Sequence, residues 1–322
     1  MELTLVMLLG FFFAAYAVTA NDGIQTLGTY ISSNRDVKWY YQFLFMGSIF
    51  VATMYYGFSV VCDPAFGRLS RFAYTEPQWY HVLAPLTLLI LTRIKIPVST
   101  TFLVLSVFAT NIMIEKMLIK SFMGYGVSFA FSAFAWYIIS RWFLDESRKF
   151  PDTHNMYWRI GQWVTTGWLW STWLKHDLAN IMVFLPRYQP MSPQTEYVFL
   201  VIGVLLVGLA YMFYERGGKI QEIVLTKTNT RYVRSATLID LVYCFVLYFF
   251  KELNDIPMST TFVFMGMLAG RELAINVAQG HSLTYGKDHK HGIFPMLYFD
   301  FFRLMFGLAI SVALAFGIQY IP

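Results

Sequence analysis

The sequence predicts an all-α polytopic membrane protein built from two inverted-topology repeats, each with three transmembrane helices and a re-entrant helical hairpin. Composition is the first observation behind this class: of 322 residues, 57% are hydrophobic and only 13% are charged, far from the usual balance of a soluble domain. The second is that apolar runs long enough to cross a bilayer recur along the chain. The third is a short motif that occurs once in each half.

The apolar runs predict the individual spans. Those that read as full-length spans cover residues 3 to about 33, 39–61, 121–144, 158–185, 197–214 and 294–321. The first run could instead be a secretory signal cleaved after Ala20, but only Glu2 precedes its apolar residues, and a signal peptide needs a basic start. We therefore expect the first run to be retained.

Two further apolar regions, 81–115 and 236–278, are too long for one span and are interrupted by polar residues followed by a proline. The first contains RIKIPVSTTFLVLSVF from Arg93, and the second contains LNDIPMSTTFVFMGML from Leu253. The pattern I-P-[VM]-S-T-T-F thus recurs at Ile96 and Ile256. Duplications of this kind are typical of secondary transporters, and they predict halves at 1–145 and 146–322.

A second pair of matching segments lies upstream of each interruption. ANDGIQ, from Ala20 to Gln25, corresponds to KHDLAN, from Lys175 to Asn180. The alignment pairs Asp22 with Asp177 and Gln25 with Asn180. Each half therefore carries a carboxylate motif followed by an S-T-T motif.

The relative orientation of the halves depends on how the interrupted regions fold. Re-entrant hairpins give each half three crossings and invert the second half, whereas kinked spans give four crossings and parallel halves. Lys and Arg accumulate in cytoplasmic loops, and the hairpin arrangement separates them between the two sides more strongly. We therefore expect inverted halves in the plasma (inner) membrane, with both termini outside.

The S-T-T motifs predict an anion site. A helix that begins inside the bilayer leaves its first N–H groups unpaired, and Pro97 and Pro257 suit its first turn. Hydroxyls beside free amides at the positive end of a helix dipole are suited to an oxyanion. The candidate anion ligands are Ser99, Thr100, Thr101, Ser259, Thr260, Thr261, Gln25 and Asn180. Local hydrogen bonding within the helices is the alternative for any one of these motifs.

The two aspartates predict a cation beside that anion. A carboxylate at the bilayer centre costs about 2.5–3.5 kcal/mol even on lenient scales, and it would repel an anion unless a cation lay between them. Such an arrangement makes anion affinity depend on the cation, which is the basis of symport. The candidate cation ligands are Asn21, Asp22, His176, Asp177 and Asn180. A solvated helix cap is the alternative for Asp22, and a polar interface residue is the alternative for His176.

With these motifs, the sequence resembles the inorganic phosphate transporter (PiT) family, whose halves each carry a G-A-N-D-x-A-N type signature and a P-V-S-T-T hairpin. The resemblance implies sodium-coupled phosphate transport by alternating access, with phosphate at the hairpin tips and sodium at the Asn-Asp pairs. Gln25 and His176 depart from the signature, and a titratable histidine there would favour proton coupling.

Other functions stay open at this stage. The anion could be sulfate, the coupling ion could be a proton, or His176 and Asp177 could be the acid and base of a membrane-embedded phosphoester enzyme. We expect no enzyme activity, no cofactor beyond sodium or a proton, and no nucleic-acid partner, and we leave a homodimer open. Cys62 and Cys244 lie far apart and predict no disulfide framework.

Overall fold

A computed structural model describes residues 3–94, 96–146, 156–188, 192–193, 197–217, 233–253, 257–278 and 293–321. Its helices in the first half are α1 (Leu5–Ser33), α2 (Trp39–Ser59), α3 (Leu83–Arg93), α4, which joins a π turn at Thr101–Leu105 to a 3₁₀ turn at Ser106–Phe108, and α5 (Asn111–Glu146). Short 3₁₀ turns lie at Leu69–Arg71 and Trp79–Val82.

The second half continues with more helices and one pair of very short strands. The helices are α6 (Met156–Asp177), α7 (Ala179–Met182), α8 (Val198–Tyr214), α9 (Val233–Leu253), α10 (Thr260–Ala278) and α11 (Ile293–Gln319). Strands β1 (Arg187–Tyr188) and β2 (Ser192–Pro193) pair antiparallel. The predicted all-α class is therefore confirmed, with two-residue strands as a minor addition.

Four described helical stretches are long and apolar enough to cross a membrane: Leu5–Ser33, Asn111–Ser140, Thr260–Ala278 and Phe294–Gln319. The predicted runs at 39–61 and 158–185 also form helices, but Tyr and Trp side chains in the first and polar side chains in the second lower their hydropathy. Those polar side chains face the protein interior: Gln162, Thr166 and Asp177 are fully buried. The bundle thus places polar groups inside, and its surface carries many large apolar side chains, such as Phe299 and Phe302 of α11.

The helix that ends each predicted half packs against the other predicted half. Helix α5 lies against α10, and α11 lies against α4. Gly266 and Gly270 of α10 allow the first of these contacts, because a Cβ there would come within 2.4 Å of backbone oxygens of α5. This G-x-x-x-G spacing is a common basis for close helix contacts in membranes.

The two interrupted regions differ in the length of their arms. In the first, α3 has 11 residues and packs against the short α4, so neither arm has the length of a full span. In the second, α9 has 21 residues and α10 has 19. The first region has the proportions of a re-entrant hairpin, while inversion of the halves stays a prediction. Most loop cations that support the predicted orientation lie in 147–155, 218–232 and 279–292, outside the described residues.

Candidate functional site

The helices carrying the paired aspartates depart from α-helical geometry at the motif itself. Within α1, a π turn spans Thr19–Gly23 and contains Asp22. Helix α6 ends at Asp177, and the chain turns at Leu178 before α7 begins. Single π turns inside helices occur frequently at functional sites, because they free or redirect backbone groups. Both aspartates are almost completely buried.

The serine that opens each S-T-T motif caps the helix that follows. Ser99 Oγ accepts a hydrogen bond from the Phe102 N–H at 3.1 Å, and Ser259 Oγ accepts one from the Phe262 N–H at the same distance. This is the usual contact of an N-cap serine with the third residue of its helix. The motif serines therefore have a structural role in this conformation, and the two halves use them identically.

The second-half aspartate is bound by the first-half motif. Thr101 Oγ1 donates to Asp177 Oδ1 at 3.2 Å, and Asn180 Nδ2 donates to the same oxygen at 2.8 Å. Asn180 Nδ2 also lies 3.3 Å from Thr101 Oγ1. The start of α4 is thereby joined to the junction between α6 and α7.

A backbone oxygen just before α4 makes the complementary link. Val98 O accepts hydrogen bonds from Asn21 Nδ2 and from Thr261 Oγ1, both at 3.3 Å. Asn21 also donates to Asp22 Oδ1 at 2.7 Å and accepts from Gln25 Nε2 at 3.2 Å. The motif residues of both halves therefore meet in one cluster, and Asp22 and Asp177 are close enough to interact electrostatically.

Several oxygens in this cluster have no hydrogen-bond partner within the described part of the chain. They are Asp22 Oδ2, Thr100 Oγ1, Asp177 Oδ2 and Asn180 Oδ1. An unsatisfied buried polar atom costs about 1–3 kcal/mol, and more if it is charged. Carboxylate, amide and hydroxyl oxygens are the ligands that hard cations prefer, so the residues present fit a cation bound among them.

His176 is directed elsewhere, although it precedes Asp177. Its Nδ1 lies 2.9 Å from Nη2 of Arg68, and its Nε2 lies 3.1 Å from the carbonyl oxygen of Leu247. Because a guanidinium and a carbonyl have fixed roles, Nδ1 accepts and Nε2–H donates. Both ring nitrogens are thus occupied in this conformation, so neither is available to a cation or to an acid–base pair with Asp177.

Arg68 comes from the loop between α2 and α3, and it is fully buried. Asp63 shapes this loop by accepting hydrogen bonds from the N–H groups of Ala65 and Gly67, at 2.8 and 2.7 Å. Burial raises the pKa of Asp63, while those two backbone contacts act in the opposite direction. The loop thereby holds a cationic side chain close enough to Asp177 for an electrostatic interaction.

The remaining predicted residues lie around the cluster. Thr260 is buried, and its carbonyl oxygen accepts from the Tyr243 hydroxyl at 3.3 Å. Tyr243 also interacts electrostatically with both motif aspartates.

Sequence reasoning missed Arg68, Tyr243 and a further buried carboxylate, Asp240. Asp240 carried a usable signal, because it interrupts an apolar run as Asp177 does. Arg68 carried none, since it lies in an ordinary polar loop.

Comparisons with known proteins agree with this geometry at the level of fold. No protein-family model matches the sequence, and no curated protein matches it. The structure resembles a solved structure described as the sodium-dependent phosphate transporter, with a TM-score of 0.56 and 15% sequence identity. The match covers 99% of this chain and 100% of that one. The resemblance noted from the motifs is therefore confirmed for the fold, over the whole length.

Proposed function

We propose that the chain is a multi-pass membrane transporter that couples the uptake of an inorganic oxyanion, phosphate, to a cation, sodium. The observation that carries the proposal is the cluster of unpartnered buried oxygens on Asp22, Thr100, Asp177 and Asn180. These oxygens lie where the paired motifs meet, in a fold that resembles a sodium-dependent phosphate transporter. A transport role, rather than catalysis, agrees with that fold.

The cation would supply the positive charge that the two carboxylates of the cluster need. Two buried carboxylates repel each other and would repel phosphate. A cation bound between the carboxylates and the anion lowers both repulsive energies. Asp22, Asp177 and Asn180 would hold sodium through oxygen atoms, with Asn21 and Gln25 supporting Asp22. Phosphate binding then strengthens sodium binding and the reverse, since the coupling is reciprocal.

The anion would bind at the helix starts next to the cation. The N-terminal ends of α4 and α10 meet in the cluster through Thr101 and Thr261, and helix N-termini are favourable sites for phosphate. Ser99 and Ser259 stabilise these helix ends by capping them. Thr100 and Thr260 complete the proposed hydroxyl set.

Alternating access would follow from the two-part construction. In the proposal, residues 1–145 and 146–322 are inverted repeats with both termini outside. The reciprocal packing of α5 on α10 and of α11 on α4 supports this arrangement, because each terminal helix could carry the other half's motif helix. Movement of one set against the other would expose the cluster to each side in turn.

Uptake by purified protein in liposomes tests the proposal. We expect labelled phosphate to accumulate only under an inward sodium gradient, and we expect Asp22→Asn and Asp177→Asn to abolish accumulation. Asp36→Asn is the matched control, because Asp36 is an exposed carboxylate that pairs with Arg159 at 2.8 Å. Uptake driven by a pH gradient without sodium would contradict the sodium assignment, and preferential uptake of sulfate would contradict the phosphate assignment.

A further inference from the structure

A buried carboxylate on α9 lies outside the cluster that the proposed mechanism uses. Asp240 is on α9, in the apolar stretch Ala236–Phe250, and only 1% of it is exposed. The Thr29 hydroxyl of α1 donates to its Oδ1, and the Thr166 hydroxyl of α6 donates to its Oδ2. Both threonines are also buried. Asp240 therefore joins the two helices that carry Asp22 and Asp177.

No positive charge compensates this carboxylate within the described residues. Helix α9 packs against α1, α5, α6 and α10. The titratable or charged side chains that these helices place inside the bundle are Asp22, Tyr30, Lys120, His176, Asp177, Tyr243, Cys244, Arg271 and Glu272. None of them forms a hydrogen bond or ion pair with Asp240 in the part of the chain that the structure describes, although Cys244 interacts with it electrostatically.

Two arginines of the neighbouring helices are engaged elsewhere. Arg271 pairs with Glu272 at 2.6 Å, and Arg159 of α6 pairs with Asp36 outside the core. An uncompensated buried carboxylate costs several kcal/mol. Two neutral hydroxyl donors offset only part of that cost. The site therefore needs a bound positive species.

The geometry favours a proton over a metal ion. The Thr29 hydroxyl oxygen is 2.5 Å from Asp240 Oδ1, which is a direct and short hydrogen bond. Oxygens from two separate side chains that bind one metal ion stand further apart than this, because each must contact the ion without crowding the other. A proton needs no such separation, and a threonine hydroxyl can accept as well as donate. Both contacts can therefore be kept when the carboxyl is protonated.

We propose that Asp240, with Thr29 and Thr166, is a proton-binding site that joins α1 to α6. Its role in transport rests on the function proposed above. Thr29 is about two helical turns from Asp22, and Thr166 is about three turns from Asp177. The protonated carboxyl stabilises the packed arrangement of these helices, and loss of the proton leaves a charge that the two threonine hydroxyls offset only in part and that water would solvate better. Deprotonation therefore accompanies separation of α1 and α6.

Infrared difference spectroscopy of the purified full-length protein in lipid tests the site without transport. The Asp22→Asn/Asp177→Asn background removes the cluster carboxyls. The spectroscopic test of Asp240 therefore remains valid even if the proposed transport function is wrong. We expect a protonated-carboxyl stretching band at neutral pH that disappears when Asp240→Asn is added. Thr166→Val should shift the frequency of the band, because Asp240 loses one hydrogen bond. This variant provides the test if Asp240→Asn does not fold.

Three results would overturn the site. The first is the absence of the band in that background, the second is its persistence in Asp240→Asn, and the third is its loss on adding sodium. The transport role has its own test, the pH profile of phosphate uptake. Asp240→Asn should flatten this profile and keep the sodium requirement, and an unchanged profile would overturn the role in transport.

Discussion

At the scale of single residues, the chemistry of the cluster depends on contacts between the halves. Thr101 is the clearest case, because its hydroxyl donates to Asp177 and lies within hydrogen-bond distance of Asn180. Both partners belong to the other predicted half. The start of α4 therefore orients the carboxylate at the end of α6, and cation affinity should depend on this hydroxyl.

Thr101→Val tests that dependence, because valine keeps the shape and removes the hydroxyl. Breaking a hydrogen bond to a buried charged group costs about 1–3 kcal/mol, so the sodium concentration for half-maximal uptake should rise by roughly fivefold to 150-fold. Sodium titration of phosphate uptake in liposomes measures this change.

Ser106→Ala is the matched control for Thr101→Val. The Ser106 hydroxyl donates to Phe102 O within the same helix, so it makes a local contact only. We expect sodium dependence close to that of the unmodified protein. Equal effects of the two substitutions would show that Thr101 acts through helix packing and not through Asp177.

At the scale of the elements, the contact between α5 and α10 is set by glycine. A Cβ at Gly270 would lie 2.2 Å from Phe129 O and 2.9 Å from Ala133 N. These are backbone atoms, which cannot move aside as a flexible side chain can. The close approach therefore requires glycine at this position.

Gly270→Ala should separate α5 from α10 and reduce stability by about 1–3 kcal/mol, the usual cost of overpacking. Thermal unfolding in detergent measures this loss, and phosphate uptake should fall with it because α10 carries the second S-T-T motif. Gly126→Ala is the control, since no atom lies within 4 Å of the added Cβ. Equal melting temperatures for the two variants would contradict the packing account.

The sequence predicted most of the helices, because long apolar runs and prolines are local signals. It also predicted the motif residues, because duplication relates Asp22 to Asp177 and Ser99 to Ser259. It did not predict which side chains meet across the bundle. The rotation of α6 about its axis, for example, directs His176 toward Arg68 and Leu247, away from the cluster, and no local signal determines that rotation. The capping contacts of the motif serines correspond to the local hydrogen bonding that the sequence left open beside the oxyanion interpretation.

At the scale of the whole molecule, the bundle combines an apolar surface with three aspartates that are buried within its described helices. Asp22 and Asp177 share one cluster with the S-T-T helices, and Asp240 lies apart between α1, α6 and α9. Burial of these carboxylates destabilises the protein unless bound cations compensate their charge. We therefore expect cation binding to contribute to both the stability of the protein and its recognition of the anion.

The measurement that tests this central claim most directly is a phosphate-binding titration of the purified protein, with and without sodium, against sulfate as the competing anion. We predict saturable phosphate binding that requires sodium, is weaker for sulfate, and is lost in Asp22→Asn and Asp177→Asn but kept in Asp36→Asn. Phosphate binding of equal affinity in the absence of sodium would contradict the account.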